Sequence, residues 1–278
     1  MESTPETTPK GPTRKKRWRA VMLNCFAVIG GIGLLAMLGF VNKQRSDTPI
    51  HSLEIDLTNH SDASFLDSAA IRAIVLKVSP DLIGTPTGEV NLHQIHDAVI
   101  AHLSIKQAQV YTTVDGRCKV TISQREPIAR ILNQDGSGFY LDKEGFTMPL
   151  SRHHTAQVPI FAGKLAEKLS EMPVHILQQD STWAKRSHLD EIFDFTQFLH
   201  GNDFLAAQVE HVVFNDRGEM EIVPRVGNHR IVFGDGTELE LKYRKLMAFY
   251  AQTLHSKDLN QYRKINLKYD NQVVCEKY

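Results

Sequence analysis

The sequence predicts an α+β protein with three parts: a single N-terminal transmembrane helix, a βααββ module, and a mostly antiparallel β-rich domain with helices. Three observations carry this. Residues 20–41 read AVMLNCFAVIGGIGLLAMLGFV, with no charge and with Asn24 as the one strongly polar side chain. At about 1.5 Å per residue they reach roughly 30 Å, the thickness of a bilayer's hydrocarbon core. Beyond them, one alternating run, two helix-spaced runs and two further alternating runs follow in that order up to about Ile131. From Ala129 onward, short strand-like runs punctuated by turn residues dominate.

The span has two competing readings. A cleaved signal peptide has an apolar core of about 7–15 residues and a small-residue cleavage site. Here the core is longer, and Asn42, Lys43, Gln44 and Arg45 follow it instead. A buried soluble helix would rarely be so uniformly apolar. Lys10, Arg14, Lys15, Lys16, Arg17 and Arg19 precede the span, against Glu2 and Glu6. Cytoplasmic flanks are enriched in Lys and Arg, so the tail is expected inside and the rest translocated. The tail, residues 1–19, is rich in Pro, Thr and Lys, and its few apolar groups predict disorder. The same basic residues could serve as a docking peptide, but orientation alone already accounts for them. A polar linker, residues 42–49, ends in Pro49.

The chain has 32 basic and 32 acidic side chains; without the tail, 26 basic face 30 acidic. That mildly acidic balance argues against nucleic acid as a partner. Three cysteines, Cys25, Cys118 and Cys275, form no C-x-x-C pair. Zinc-binding or redox motifs are therefore not expected. A Cys118–Cys275 disulfide is chemically allowed in an oxidising compartment, but two lone cysteines make no framework.

The module is expected over 50–125. Leu53, Ile55 and Leu57 alternate with Glu54 and Asp56 as a strand, and the stretch Thr58 to Ser61 breaks it. Ser64 with Asp67 resembles a capping box, placing Phe65, Ala69, Ile74 and Val78 on one helix face. Pro80, Gly84, Pro86 and Gly88 mark a loop. Asn91 with Gln94 opens a second helix carrying Leu92, Ile95, Val99 and Leu103. Ala108, Val110, Thr112 and Val114 alternate up to the hairpin signal Asp115-Gly116, and Cys118, Val120 and Ile122 return. Glu126-Pro127 breaks that last strand, since proline cannot donate to a ladder.

The β-rich domain is expected over 126–278. Residues 139–141 end at Asp142, and a turn at Glu144-Gly145 precedes Phe146. Residues 158–161 form a short run closed by Gly163. Ser187 and Asp190 predict a capped helix with Leu189, Ile192, Phe193, Thr196 and Leu199 inward. Strands over 209–214 and 219–223 flank a turn from Asn215 to Gly218, and a strand over 229–233 leads into Gly234-Asp235-Gly236. Residues 239–254 predict a helix anchored by Tyr243, Leu246, Phe249 and Tyr250. The chain closes on a strand-rich run over 265–275, where Ile265, Leu267 and Tyr269 alternate with Asn266 and Lys268.

Catalytic chemistry leaves no signature. There is no G-x-S-x-G elbow, P-loop or G-x-G-x-x-G. Acidic pairs Glu219/Glu221 and Glu238/Glu240 lie at i,i+2, the spacing of a solvated strand face, and no carboxylate is marked as proton-tuned. Thirteen histidines invite a metal reading. His93 and His96 are three apart on a predicted helix, but a metal needs a third ligand at a defined place, and no H-E-x-x-H with a distant acid is present. His153-His154 sits in a loop. Neither catalytic residues, nor a metal, nor a cofactor, nor a small-molecule substrate is expected, and the reading moves towards a binding protein. Its sharpest feature is the chain end. A strand laid down last can sit at a sheet edge and accept another chain's strand, or it can simply complete the sheet.

The layout resembles the FtsQ/DivIB cell-division family: a basic tail, one span, a βααββ unit similar to that family's POTRA module, then a β-rich domain. The segment Arg125-Glu126-Pro127-Ile128-Ala129 resembles the family's R-x-P-x-A. Phe139-Tyr140-Leu141-Asp142 with Gly145 resembles its aromatic–Ile/Leu–Asp–x–x–Gly turn, with Val158-Pro159-Ile160 as the strand beyond. Ile265-Asn266-Leu267-Lys268-Tyr269 resembles its I-D-L-R-Y. Asn266 and Lys268 depart from the usual Asp and Arg, and Gln272 stands where relatives often have Gly. The family's long C-terminal tail is missing. The resemblance implies a non-catalytic inner-membrane scaffold of the division septum with a periplasmic C-terminal domain. It would bind small bitopic FtsB/FtsL-like proteins by strand addition and help control septal peptidoglycan synthesis. Other divisome components would meet the POTRA-like module. Carried over by position, Tyr269, Asn271, Gln272, Val273 and Val274 would form the partner-binding edge. A POTRA-bearing transport or secretion component and a membrane-anchored periplasmic hydrolase are the alternatives. The first would bring several such modules or a β-barrel, and the second a tuned acid–base cleft.

Overall fold

The computed structural model describes residues 29–34, 37, 47–58, 65–184, 186–254 and 259–278. Of the predicted span, Ile29–Leu34 and Met37 are described; all are helical and exposed. The rest of 20–41, the tail and most of the linker lie outside the described residues. No helix among the described residues is long and apolar enough to cross a membrane.

After Pro49 the expected order appears: β1 (Ser52–Leu57), α1 (Ser68–Val78), α2 (Leu92–Ile100), β2 (Ile105–Thr112) and β3 (Arg117–Gln124). The three strands pair in the order β1-β3-β2. Cys118, Val120, Ile122 and Gln124 are the buried alternate positions of β3. The helix register differs from the capping-box reading. Asp67 caps α1, its carboxylate accepting from the Ala70 amide at 2.7 Å, while Ser64 lies outside the described residues. The helix therefore starts later, Ile71 and Val75 form its buried stripe, and Ala69 is exposed. Phe65 precedes the helix and packs edge-on to Tyr140. Val114 lies in the hairpin turn, exposed, and not in the strand. The predicted break at 59–61 lies outside the described residues.

The chain divides into two compact units. The smaller holds the described residues up to Leu53, Asp81–Asn91 and Thr112–Cys118. It is stitched by backbone: the Ile50 amide donates to Thr85 at 2.9 Å, Gly84 to Ile50 at 2.7 Å, and His51 to Gly116 at 2.9 Å. Gly116, at φ +80°, sits where a Cβ would lie 2.5 Å from the Pro49 carbonyl, so the hairpin turn requires glycine.

The larger unit contains a nine-stranded sheet ordered β12-β11-β10-β9-β8-β7-β4-β5-β6. Its strands are β4 (Pro127–Leu132), β5 (Gly138–Asp142), β6 (Thr147–Pro149), β7 (Ile160–Gly163), β8 (Val209–Phe214), β9 (Met220–Pro224), β10 (Arg230–Gly234), β11 (Tyr262–Asn266) and β12 (Val274–Lys277). Five neighbouring pairs are antiparallel, but β4–β7, β7–β8 and β10–β11 are parallel. Parallel neighbours need crossovers. The β7–β8 crossover carries the short helices α3 (Val174–Leu177) and α4 (Ser181–Ala184), then α5 (Leu189–His200) and α6 (Asp203–Gln208); the β10–β11 crossover carries α7 (Leu239–Leu254).

The helices α5 and α7 deliver Ile192, Phe195, Leu199, Leu246 and Tyr250 into the core formed with Phe161, Val212, Phe233 and Ile265. Phe195, rather than Phe193, is fully buried, edge-on to Phe161 and Phe233. His188 holds the N-cap position of α5 without a side-chain bond, while the predicted Ser187 accepts at its hydroxyl from the Leu189 amide at 3.2 Å. Glu167, from earlier in the same crossover, also fixes this end, accepting from the Ser187 hydroxyl at 2.6 Å and the His188 amide at 2.7 Å. The closing run is also corrected. Residues 265–275 are not one strand: β11 ends at Asn266, and a turn separates it from β12.

Candidate partner-binding edge

The chain end folds into an antiparallel hairpin on the parallel β10–β11 pair. Ile265 and Leu267 are fully buried and pin β11 to the core, while the Leu267 amide donates to the Val232 carbonyl at 3.0 Å. Lys245 on α7 then holds the chain leaving β11, donating to the carbonyls of Leu267 at 2.6 Å and Tyr269 at 3.0 Å. The turn is made at Asn271, in the left-handed region at φ +56°. Asparagine tolerates that region better than most residues.

From the turn, β12 runs back along β11 with Val274 opposite Asn266 and Cys275 opposite Ile265. Arg263 and Glu276 pair across the two strands. The Tyr278 hydroxyl donates to the Asn228 carbonyl at 3.0 Å, tying down the C terminus. β12 is the terminal strand of the sheet, with β11 on one flank and no strand on the other among the described residues.

Of the five residues proposed from sequence for this edge, Val274 alone lies in β12; it is 44% exposed. Tyr269, 49% exposed, and the exposed Asn271 and Gln272 lie in the connecting turn. Val273 turns inward and packs on the main core, as does Cys275. Burial raises the Cys275 thiol above its ordinary value, although Lys277 pulls it down. Cys118 and Cys275 are both free. Sequence reasoning read 264–277 as a strand-rich end that includes Glu276 and Lys277, but missed the turn inside it and Lys245 as the support. The turn residues Asp270-Asn271 were the signal that could have split the run.

A second cluster lies at the start of the sheet. Arg125, just before β4, donates from Nη1 to Asp142 Oδ2 at 2.8 Å. Asp142 is fully buried, and its other oxygen accepts from the amides of Glu144 at 3.0 Å and Phe146 at 2.7 Å. The guanidinium lies over the Phe146 ring, 3.9 Å from its centre. Burial raises the Asp142 carboxyl above its ordinary value against the pull of Arg125 and the Phe146 amide. The Arg125 amide reaches the Ser104 carbonyl at 3.0 Å, and Lys106 pairs with Glu144 at 2.6 Å. One ion pair thus ties the end of β3 to the β5–β6 turn.

A family described as FtsQ/DivIB, C-terminal related, matches residues 126–276, and a POTRA-like domain matches residues 50–123. The chain belongs to the FtsQ/DivIB family. The cell division protein FtsQ of Rhodothermus marinus is 24% identical over 277 residues, covering 96% of this chain and 91% of its own. The FtsQ of Salinibacter ruber is 28% identical over 252 residues, 89% of each chain. In this FtsQ/DivIB member, the R-x-P-x-A and aromatic–Leu–Asp–x–x–Gly segments meet physically, as the two ends of the Arg125–Asp142 pair. The I-D-L-R-Y departures are absorbed locally. Asn266 Oδ1 accepts from the Lys268 amide at 3.0 Å, and the Lys268 ammonium pairs with Glu219 instead.

Proposed function

We propose that the chain is a single-pass scaffold of the bacterial divisome. It captures small bitopic FtsB/FtsL-like proteins by adding their strand to β12, and it helps control septal peptidoglycan synthesis without catalysing it. In this reading residues 1–19 are a cytoplasmic tail, 20–41 cross the inner membrane, 42–49 are a linker, and 50–125 and 126–278 are periplasmic. The POTRA-like module meets other division components. The observation that carries the reading is the open flank of β12, with the exposed Tyr269 and Val274 beside it. Unpaired strand-edge amides and carbonyls give affinity to an incoming strand, and an exposed aromatic gives it an anchor.

The test is co-purification of the full-length chain with its bitopic partner from the native membrane. Tyr269→Ala with Val274→Asp, both at exposed positions, should leave circular dichroism and thermal unfolding unchanged while capture is lost. Capture at parent level by the folded double variant would refute the strand-edge reading.

A further inference from the structure

On α2, His93, His96 and Asp97 fall at i, i+3 and i+4, the spacing that brings side chains to one helix face. Asp97 stands between the two rings. One carboxylate oxygen is 3.4 Å from His93 Nε2, and the other is 3.2 Å from His96 Nδ1. The rings are nearly parallel, 5° apart, with centroids at 6.4 Å. The three donor atoms lie within 4.8 Å of one another, and among the described residues no other group of three or more His, Cys, Asp or Glu is so disposed. A search for a distant acid passes over Asp97 because it directly follows His96.

We propose that this face binds one borderline divalent transition-metal ion, of the zinc, nickel or copper class, through His93, His96 and Asp97. Two imidazoles and a carboxylate suit those ions, whereas magnesium and calcium take oxygen donors. A zinc ion with imidazole and carboxylate ligands at about 2.0–2.2 Å needs donors a little over 3 Å apart, close to the separations seen between Asp97 and each ring. The side chains project from one backbone segment whose spacing the helix already fixes, so ordering them costs rotamer freedom only. All three are at least partly exposed, which leaves the ion's remaining positions to solvent. Binding clamps the helix from its first turn to its second.

The test is calorimetric titration of the full-length chain in detergent with zinc sulfate. The parent is compared with Asp97→Asn and with His93→Ala/His96→Ala, whose side chains project from the helix surface. Circular dichroism checks that each variant folds. One saturable site is expected in the parent. It should weaken at least about tenfold in Asp97→Asn, since changes even to groups behind a metal's ligands cost about 10–100-fold, and be lost in the double variant. Cobalt substituted for zinc should give visible absorption bands in the parent that the double variant lacks. Absence of a saturable site in the parent, or binding and cobalt spectra unchanged in the folded double variant, would overturn the proposal.

Discussion

Two side chains show how burial sets the cost of a single residue. Asp142 is fully buried, and Arg125 is 14% exposed. Removing one partner of such a pair strands the other charge away from water, at about 3–5 kcal/mol. Arg125→Ala should therefore lower stability by about 3 kcal/mol, the low end of that range, because Asp142 keeps two amide donors. Arg125→Met with Asp142→Asn should recover part of the loss, since no charge is then stranded; urea unfolding of the three variants measures both. His229 makes a different point. It is buried, its Nε2 sits 2.9 Å from the Tyr250 hydroxyl, and its Nδ1 has no hydrogen-bond partner among the described residues. Burial lowers its pKa below the ordinary 6.5, so the unfolded chain binds the proton more readily. Its contribution is complete above 6.5 and is lost as pH falls through 6.5 toward the lower folded value. His188 opposes it: the bond to Glu191 raises its pKa, so its contribution is complete below 6.5 and is lost as pH rises through the folded value. His229→Gln should flatten the fall in stability on the acid side and leave the alkaline side unchanged, as unfolding midpoints from pH 5 to 8 would reveal.

At the scale of elements, legibility followed periodicity and failed where a partner from elsewhere in the chain decides. The boundaries of α7 and β8 could be read directly: α7 follows the turn at Gly234–Gly236, and β8 ends at the turn from Asn215 to Gly218. For α5 the period placed Leu189, Ile192, Thr196 and Leu199 correctly and chose Phe193, which packs partly buried on the core, but passed over the fully buried Phe195. Packing chose Phe195, between Phe161 and Phe233, and left Phe193 against the Gly145 turn. The start of the same helix was half legible: Ser187 meets the Leu189 amide, but Glu167, which holds the Ser187 hydroxyl and the His188 amide, lies farther back in the same crossover. The candidate edge was half legible. Being last in sequence allowed an edge position but equally a strand that completes the sheet, and the sheet order places it at the end; its hairpin form was hidden by an alternation that continues up to the turn. Phe195→Ala should cost about 3–5 kcal/mol, the usual range for a buried phenylalanine, while Phe193→Ala should cost clearly less. Denaturant midpoints for the two variants distinguish them.

The whole sheet treats its two ends differently, and that difference bears on the proposed partner. β6, at one end, has three residues, finishes at Pro149, and has its Thr147 hydroxyl engaged with the Ser170 backbone at 2.8 and 2.9 Å. Shortness and proline are ordinary ways to blunt an edge against pairing. At the other end β12 has four residues, carries no proline, and is exposed at Val274, Glu276 and Lys277. Between them seven strands are paired on both flanks. A strand arriving from a partner therefore meets one open ladder. It should protect the amides of β12 that face away from β11, and leave the doubly paired β8, β9 and β10 as they were. Hydrogen–deuterium exchange of the full-length chain, with and without the bitopic partner, should show slowed exchange confined to residues 269–277. Protection appearing at β6 instead, or spread evenly over the sheet, would mean that the partner docks by another route.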